Sequence, residues 1–366
     1  MKIFFNYDKN TPSQSIFFER QLPLIKKYKV TFTRNFKNAD IIIIPHTQKQ
    51  LRFLTNSEVN SIIKRKGIKI IIVKPHKEID IRLTYKNNLD IFKSLFNRFF
   101  KSERDFHFPK ILRDLDTTFI CDNSRLERHF MSDNWKTLYL PLTYNSKIIS
   151  KKNLQISSIE QPEIAFIGEI THLIEWIDGI KYLLNKKQFK KYKLKIISFG
   201  AVSRKKIEKK IGKDRILWGN PSMDIDILNN QLKNVVFAIV PHQTIRTNYE
   251  GQIKNRINPF ISQPNDVTKS EKFSCNSGRN HLLSSLSIPF ITSPIEDVLK
   301  EYKGYPSFLF IENNYQLYYA AKRLQDLELR NKLSKFIREN YMENFSPNHV
   351  IRTLFLYIKN ENINTD

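Results

Sequence analysis

Short, dense apolar runs separated by helix-length polar stretches organise the chain from its first residues. In the first third these runs are KIFF at 2–5, DIIIIP at 40–45, IKIIIV at 68–73 and TTFICD at 117–122. Runs so rich in isoleucine, without apolar–polar alternation, predict strands buried on both faces in a parallel sheet of βα units. Ligands of open α/β sheets gather beyond the carboxyl ends of the strands. That rule sets Asn6, Asp8, His46, Pro75, His76, Asp122 and Asn123 along a functional edge.

From about 146 to 162 the chain loses apolar density and gains Ser, Lys and Gln, which marks a linker. The pattern then restarts with EIAFIGE (163–169), KLKIISFG (193–200), RILWG (215–219), VVFAIVPH (235–242) and IPFITS (288–293). Two βα domains are therefore expected, one over 1–150 and one over 151–345. The polar, proline-interrupted stretch between His242 and Phe273 predicts a long loop of the kind that carries function or moves. Helical apolar spacing in NHVIRTLFLYIKN (348–360) predicts a C-terminal helix, near 345–360, that packs back on the first domain.

Composition narrows the function classes. With 366 residues, 40% of them hydrophobic, the chain can bury two cores, and its nine glycines exclude a collagen-like or glycine-rich flexible protein. The excess of 61 Lys and Arg over 36 Asp and Glu gives +25, far beyond what solubility needs. Either a polyanionic partner (nucleic acid, anionic lipid or nucleotide) or a lysine-rich, AT-biased coding sequence accounts for it. Cys121 and Cys275 stand far apart with no CxxC pattern, so neither a disulfide framework nor a structural zinc site is expected. The opening MKIFFNYDKN turns polar too soon for a secretory segment, and no apolar run approaches the roughly 18 residues that span a bilayer. The expected location is the cytoplasm, with peripheral attachment at the inner face of the membrane.

The most informative segment runs from Ser277 to Ser293, followed by Pro294 and Glu296. A small Ser277-Gly278 loop opens a helix that feeds a buried strand, so backbone N–H groups and the positive helix end would face the sheet edge as a diphosphate seat. Arg279 in the first turn opposes the helix dipole, which fits a phosphate clamp; an ordinary helix start with an exposed arginine is the plainer alternative.

The second half resembles the donor-binding domain of GT-B glycosyltransferases, most of all the family-4-type group. Phe166-Ile167-Gly168-Glu169, Ser198-Phe199-Gly200, Ile239-Val240-Pro241-His242 and the helix ending in Ile288-Pro289-Phe290-Ile291 match that group's order over roughly 163–300. A looser match covers the first half through the strand-end pair Pro45-His46. The resemblance implies an α/β GT-B fold, two Rossmann-like domains facing each other across a cleft, and sugar transfer from a nucleotide donor. Two departures qualify it. Alignment on Pro289 puts Ser274 and Leu282 where retaining members carry two glutamates, and Glu250 in Tyr249-Glu250-Gly251 has only the local context of the first. A weaker resemblance to the inverting exostosin-like transferases rests on Asn38-Ala39-Asp40 and the pair Ser277 and Arg279, so the anomeric outcome stays open.

On this basis the donor-binding candidates are Gly168, Glu169, Arg204, Lys205, His242, Glu250, Ser277, Gly278, Arg279, Asn280 and Glu296. Arg204 and Lys205 sit where such enzymes clamp phosphate, or simply begin a solvated helix, and His242 either meets the base or ribose or fills the core. His46, Asp8 and Asp122 are the candidates for positioning or deprotonating an acceptor hydroxyl. Asp224-Ile225-Asp226 has the spacing of a metal-binding pair but follows Asn220-Pro221-Ser222, which favours the first turn of a helix; no metal is expected, nor any cofactor beyond the nucleotide-sugar.

In 89–101 apolar residues at 92, 95, 96, 99 and 100 are flanked by Lys93, Arg98, Lys101 and Arg104. Either an interfacial helix on an anionic membrane or a core helix has this pattern. The expected function is metal-independent glycosyl transfer to a cell-surface glycan or lipid-linked acceptor, of the lipopolysaccharide or capsule kind. A nucleic-acid-binding protein is the rival from another class, although the basic residues are spread rather than gathered in a stripe. A degenerate GT-B domain that only binds is the third reading.

Overall fold

The structure is a computed structural model that describes residues 1–6, 28, 30–45, 68–73, 116–132, 134–144, 159–168, 170–174, 176–198, 204–222, 224–242 and 277–363. Asp8, His46, Pro75, His76, Glu169, Glu250, Ser274 and the segment 89–101 lie outside the described residues. The chain divides into two compact units. One collects the described residues up to Pro141 and from Leu354 onward, and the other those from Leu142 to Thr353.

The first unit is built on a parallel sheet. Its strands are β1 (Lys2–Phe5), β2 (Thr31–Thr33), β3 (Ile41–Pro45), β4 (Lys69–Val73), β5 (Asp116–Cys121) and β6 (Lys136–Tyr139), in the order β2-β1-β3-β4-β5-β6. All pairings are parallel, with Ile41–Pro45 against Lys69–Val73 and Lys69–Val73 against Asp116–Ile120 in continuous register. Ile42, Ile44, Ile70 and Ile72 are fully buried, as strands covered on both faces require. Helix α1 (Ser124–Ser132) returns from β5 and stacks Phe130 on Phe119, ring centroids 4.4 Å apart.

The second unit repeats the plan with β7 (Glu163–Ile167), β8 (Lys193–Ile197), β9 (Ile216–Gly219), β10 (Val235–Val240) and β11 (Phe290–Thr292) in the order β11-β10-β7-β8-β9, again all parallel. Every residue of β7 and β10 is buried, which makes them the central pair. Its helices are α2 (Thr171–Ile174), α3 (Ile177–Asn185), α4 (Arg204–Ile211), α5 (Ile225–Gln231), α6 (Gly278–Ser285), α7 (Glu296–Glu301), α8 (Asn314–Arg323), α9 (Leu327–Asn344) and α10 (Pro347–Ile363). The chain runs outward from β7 through β8 to β9 and then returns to β10 on the other side of β7. That reversal makes the β7–β10 crevice the topological switch point, where open α/β sheets bind ligands.

Helix starts follow local chemistry. Asp224 caps α5 by accepting from the Asp226 and Ile227 N–H groups, and Asp226 lies in the first turn. Asn313 and Gln316 form a capping box on α8. Helix α10 passes from the second unit into the first: the Phe355 ring stacks on Tyr28 at 4.7 Å, and the Tyr357 hydroxyl lies 3.3 Å from Thr118 Oγ1.

Several cations are internal braces. Arg215 Nη2 donates to the carbonyls of Leu184, Phe189 and Tyr192, Arg330 Nη1 to those of Leu324 and Gln325, and Arg338 Nη1 to that of Ser285. The entry of the chain into the second unit is also braced. The Tyr341 hydroxyl accepts the Tyr144 N–H at 2.7 Å, bonds the Tyr144 carbonyl and lies 3.2 Å from Thr143 Oγ1. Changing Tyr341 to Phe strands these groups and is expected to cost about 1–3 kcal/mol, read as a lower urea midpoint; an unchanged midpoint would mean that water replaces the hydroxyl.

Candidate functional site

Three chain segments converge at the carboxyl edge of β7 and β10. Strand β7 ends at Gly168, whose φ of +140° lies in a region that L side chains avoid. Strand β10 ends at Pro241 and His242. Helix α6 begins beside them at Ser277-Gly278, where the Ser277 side chain makes no cap hydrogen bond.

Arg279 links the three. Its Nη2 donates to the Pro241 carbonyl at 2.6 Å and to His242 Nδ1 at 3.3 Å. Its stem crosses Gly168 so closely that a Cβ there would stand 2.9 Å from Arg279 Cδ. The missing side chain of Gly168 is the space through which the arginine reaches the β10 end. The guanidinium of this half-buried residue, its Nη1 shielded from solvent, is thereby held across the crevice that the strand order marks as the ligand position.

The hydrogen-bond directions assign the protons around it. Guanidinium nitrogen can only donate, so His242 Nδ1 accepts and the proton sits on Nε2, 3.4 Å from Asn280 Oδ1. Asn280 Nδ2 donates to Thr292 Oγ1 at 3.2 Å, and Thr292 Oγ1 donates to the Val240 carbonyl at 3.2 Å. The His242 N–H donates to Ser293 Oγ at 3.0 Å. This buried series keeps His242 neutral. Burial first, then the charge of Arg279, drives its pKa well below the usual histidine value, against the opposing bond to Asn280.

His172, in the short helix α2 that follows the Gly168 turn, belongs to the same electrostatic group. Burial and then Arg279 push its pKa down to about 3. The group therefore carries a guanidinium charge beside two uncharged rings at neutral pH, a combination suited to an anion. It also has a pH signature. The unfolded chain binds protons on both rings near pH 6.5 and the folded chain does not, so stability falls as pH drops below about 6.5 and, for His172, continues falling toward about 3. Each ring contributes at most about 1.4 kcal/mol per pH unit. The melting temperature is expected to decline from pH 7 to 5, and His172→Gln to flatten that decline; an equal slope in the variant would refute it.

His281, two residues on from Arg279, has a different task. Its Nδ1 donates to the Leu142 carbonyl at 2.9 Å, its Nε2 lies 2.9 Å from Glu301 Oε2, and its ring stacks on Phe345 at 4.5 Å. It ties helix α6 to the core of the unit and so fixes where Arg279 begins.

Of the residues singled out from the sequence, the structure brings together Gly168, His242, Gly278, Arg279 and Asn280, with Ser277 buried at the α6 start. Arg204 and Lys205 are exposed at the start of α4, where the Arg204 guanidinium stacks 4.8 Å above the Trp218 ring. Glu296 is half-buried at the first position of α7, after β11. Leu282 is buried in α6. Asp122, beyond β5, accepts from Asn123 Nδ2 at 3.3 Å, two strands beyond β3 in the sheet order. The first unit has its own switch point between β1 and β3, marked by Asn6, whose N–H bonds the Ile43 carbonyl at 3.0 Å. His172 is the member that sequence reading missed. Its position four residues past the β7 glycine was the available signal. Among the described residues no cluster of three His, Cys, Asp or Glu side chains could share a metal.

No protein-family model matches this chain, and no curated protein matches it in sequence. Solved structures match its fold. HepE from Anabaena, a complex with UDP and glucose, matches with a TM-score of 0.56 at 12% identity, over 98% of this chain and 100% of HepE. WaaG, a glycosyltransferase involved in lipopolysaccharide biosynthesis, matches with a TM-score of 0.51 at 9% identity, over 97% of this chain and 98% of WaaG. TarM matches with a TM-score of 0.54 at 11% identity over 87% of this chain, which spans only 54% of TarM's length. A Listeria monocytogenes protein described as a UDP-N-acetylglucosamine 2-epimerase has the same fold. At these identities the likeness establishes the fold. The chain has the GT-B architecture of nucleotide-sugar glycosyltransferases and epimerases, as the strand-end motifs led us to expect.

Proposed function

We propose that this chain is a glycosyltransferase that seats the diphosphate of a nucleotide-sugar at the β7–β10 crevice and passes the sugar to a glycan or lipid-linked acceptor. The observation that carries the reading is Arg279, bonded to the Pro241 carbonyl and laid over Gly168 at the switch point of a GT-B second domain. A fixed guanidinium and the positive N-terminal end of α6 would balance the negative charge that grows on the departing nucleoside diphosphate, so the reaction needs no metal. Asn280 and the neutral His242 hold the arginine in place. The matched HepE structure holds UDP and glucose, and WaaG acts in lipopolysaccharide biosynthesis, which makes UDP-sugars the first donors to try. The acceptor would be met by the first unit, on whose sheet edge Asp8, His46 and Asp122 were singled out, and an anionic inner membrane face is the proposed setting.

Calorimetric titration with UDP, GDP, dTDP and CMP, followed by turnover assays of the matching sugar donors with and without chelator, tests this. Micromolar binding of one nucleotide and chelator-resistant sugar transfer are expected. Binding of none of them would remove the donor site. Conversion of the sugar without any acceptor would replace transfer by epimerisation, the other chemistry described for this fold among the matched structures.

A further inference from the structure

Tyrosines crowd one surface of the second unit, on helices that supply no residue to the donor crevice. Helices α3 and α8 pack together with Ile180, Leu183, Leu184, Leu317, Ala320 and Ala321 buried. Their outward side chains include Tyr182 at 49% exposure, Tyr319 at 68% and Tyr315 at 83%. Tyr318 joins the two helices: its ring meets Tyr182 edge-on at 5.9 Å and Tyr319 at 5.5 Å, and Gln188 Nε2 donates to its hydroxyl at 3.2 Å. Lys186 Nζ stands 3.9 Å from the Tyr182 ring centroid and 5.6 Å from that of Tyr318. The same elements carry exposed cations: Lys181 on α3, Lys187 and Lys190 just after it, and Lys322 and Arg323 at the end of α8, the last with its guanidinium 4.8 Å above the Phe308 ring. Of the neighbouring acids, Asp178 pairs with Lys210 and Asp326 caps α9, while Glu312 and Glu328 are exposed.

We propose that this face docks on the headgroup layer of an anionic lipid membrane. The solvated side of a surface helix is ordinarily charged or polar throughout, so three exposed tyrosines on two adjoining helices call for an amphiphilic neighbour. A tyrosine ring with its hydroxyl suits the boundary between water and acyl chains, and lysines around it meet lipid phosphates. Exposures of 68% and 83% mean that no wall stands over these rings. Sites for soluble ligands are concave and cover most of the ligand, whereas a planar layer meets both helices at once. The charge of +25 provides long-range attraction to such a surface. The proposal does not depend on sugar transfer, and none of these residues belongs to the donor crevice.

Sedimentation of the full chain with phosphatidylglycerol–phosphatidylethanolamine vesicles, beside phosphatidylcholine vesicles, tests it. Binding to the anionic vesicles, weakened by high salt, is expected. Tyr315→Ser with Tyr319→Ser should lower the partition coefficient about tenfold, and Lys181→Gln, Lys187→Gln and Lys322→Gln together about a hundredfold. All five positions are solvent-facing, so melting temperatures should hold. Absence of vesicle binding, or equal binding by both variants, would overturn the proposal. So would tighter capture of the chain by soluble dextran sulfate or poly-U RNA than by vesicles, lost in the same variants, since that would give the face to a soluble polyanion.

Discussion

Changing Arg279 to Ala is expected to weaken binding of the cognate nucleoside diphosphate about ten- to a hundredfold, the worth of a charge-assisted hydrogen bond of roughly 1.5–3 kcal/mol. The fold should persist without ligand at a cost of about 1–3 kcal/mol, because the carbonyl of the buried Pro241 loses its donor. Arg279→Lys should recover only part of the affinity, since an ammonium cannot reach Pro241 and His242 with a planar fork while facing phosphate. Affinity equal to that of the parent in both variants would remove Arg279 from the site.

Gly168→Ala should lower affinity as far as Arg279→Ala does, although residue 168 would itself touch no phosphate. The backbone there has φ +140°, where an L side chain is strained by about 1–3 kcal/mol. The new methyl would also stand 2.9 Å from Arg279 Cδ, so the arginine stem must shift, and its bond to the Pro241 carbonyl is expected to be lost with it. The two effects separate in a double-mutant cycle. Gly168→Ala should destabilise the protein in either background, but in the Arg279→Ala background it should cost no further nucleotide affinity, because the arginine it displaces is already gone. Additive losses of affinity would mean that the glycine serves the ligand directly, through close backbone approach, rather than through Arg279.

These expectations trace back to a few legible positions. The isoleucine runs at 41–44 and 70–73 and the apolar runs of β7 and β10 announced buried parallel strands, because residues covered on both faces cannot alternate. Asp224 and Asp226 announced a helix start, because the Asp224 carboxylate reaches backbone N–H groups two and three residues on and the helix dipole favours Asp226 in the first turn. Gly168, the Pro241-His242 end and the Gly278-Arg279-Asn280 helix start were recognisable as neighbours at the sheet edge for the same local reason: a strand end or a helix end places its residues there.

Charge was the poorest guide. The surplus of cations pointed to a polyanion, yet Arg215, Arg330 and Arg338 bind carbonyls inside the second unit, and Arg204 lies on Trp218. Nothing along the chain separates an arginine that braces a turn from one that meets phosphate, since both need only five donors and a long stem.

What the sequence by itself determined was the existence of two parallel βα sheets and the strand-end glycines, because burial and backbone conformation are properties of each segment. The tertiary structure alone decided that β10 returns beside β7, and with it that the stem of Arg279 passes over Gly168, that His242 is protonated on Nε2, and that His172 stays neutral beside them. Those facts depend on strand order and on contacts between residues as far apart as 168 and 279, where loop-closure and packing choose among partners that local propensity leaves equal.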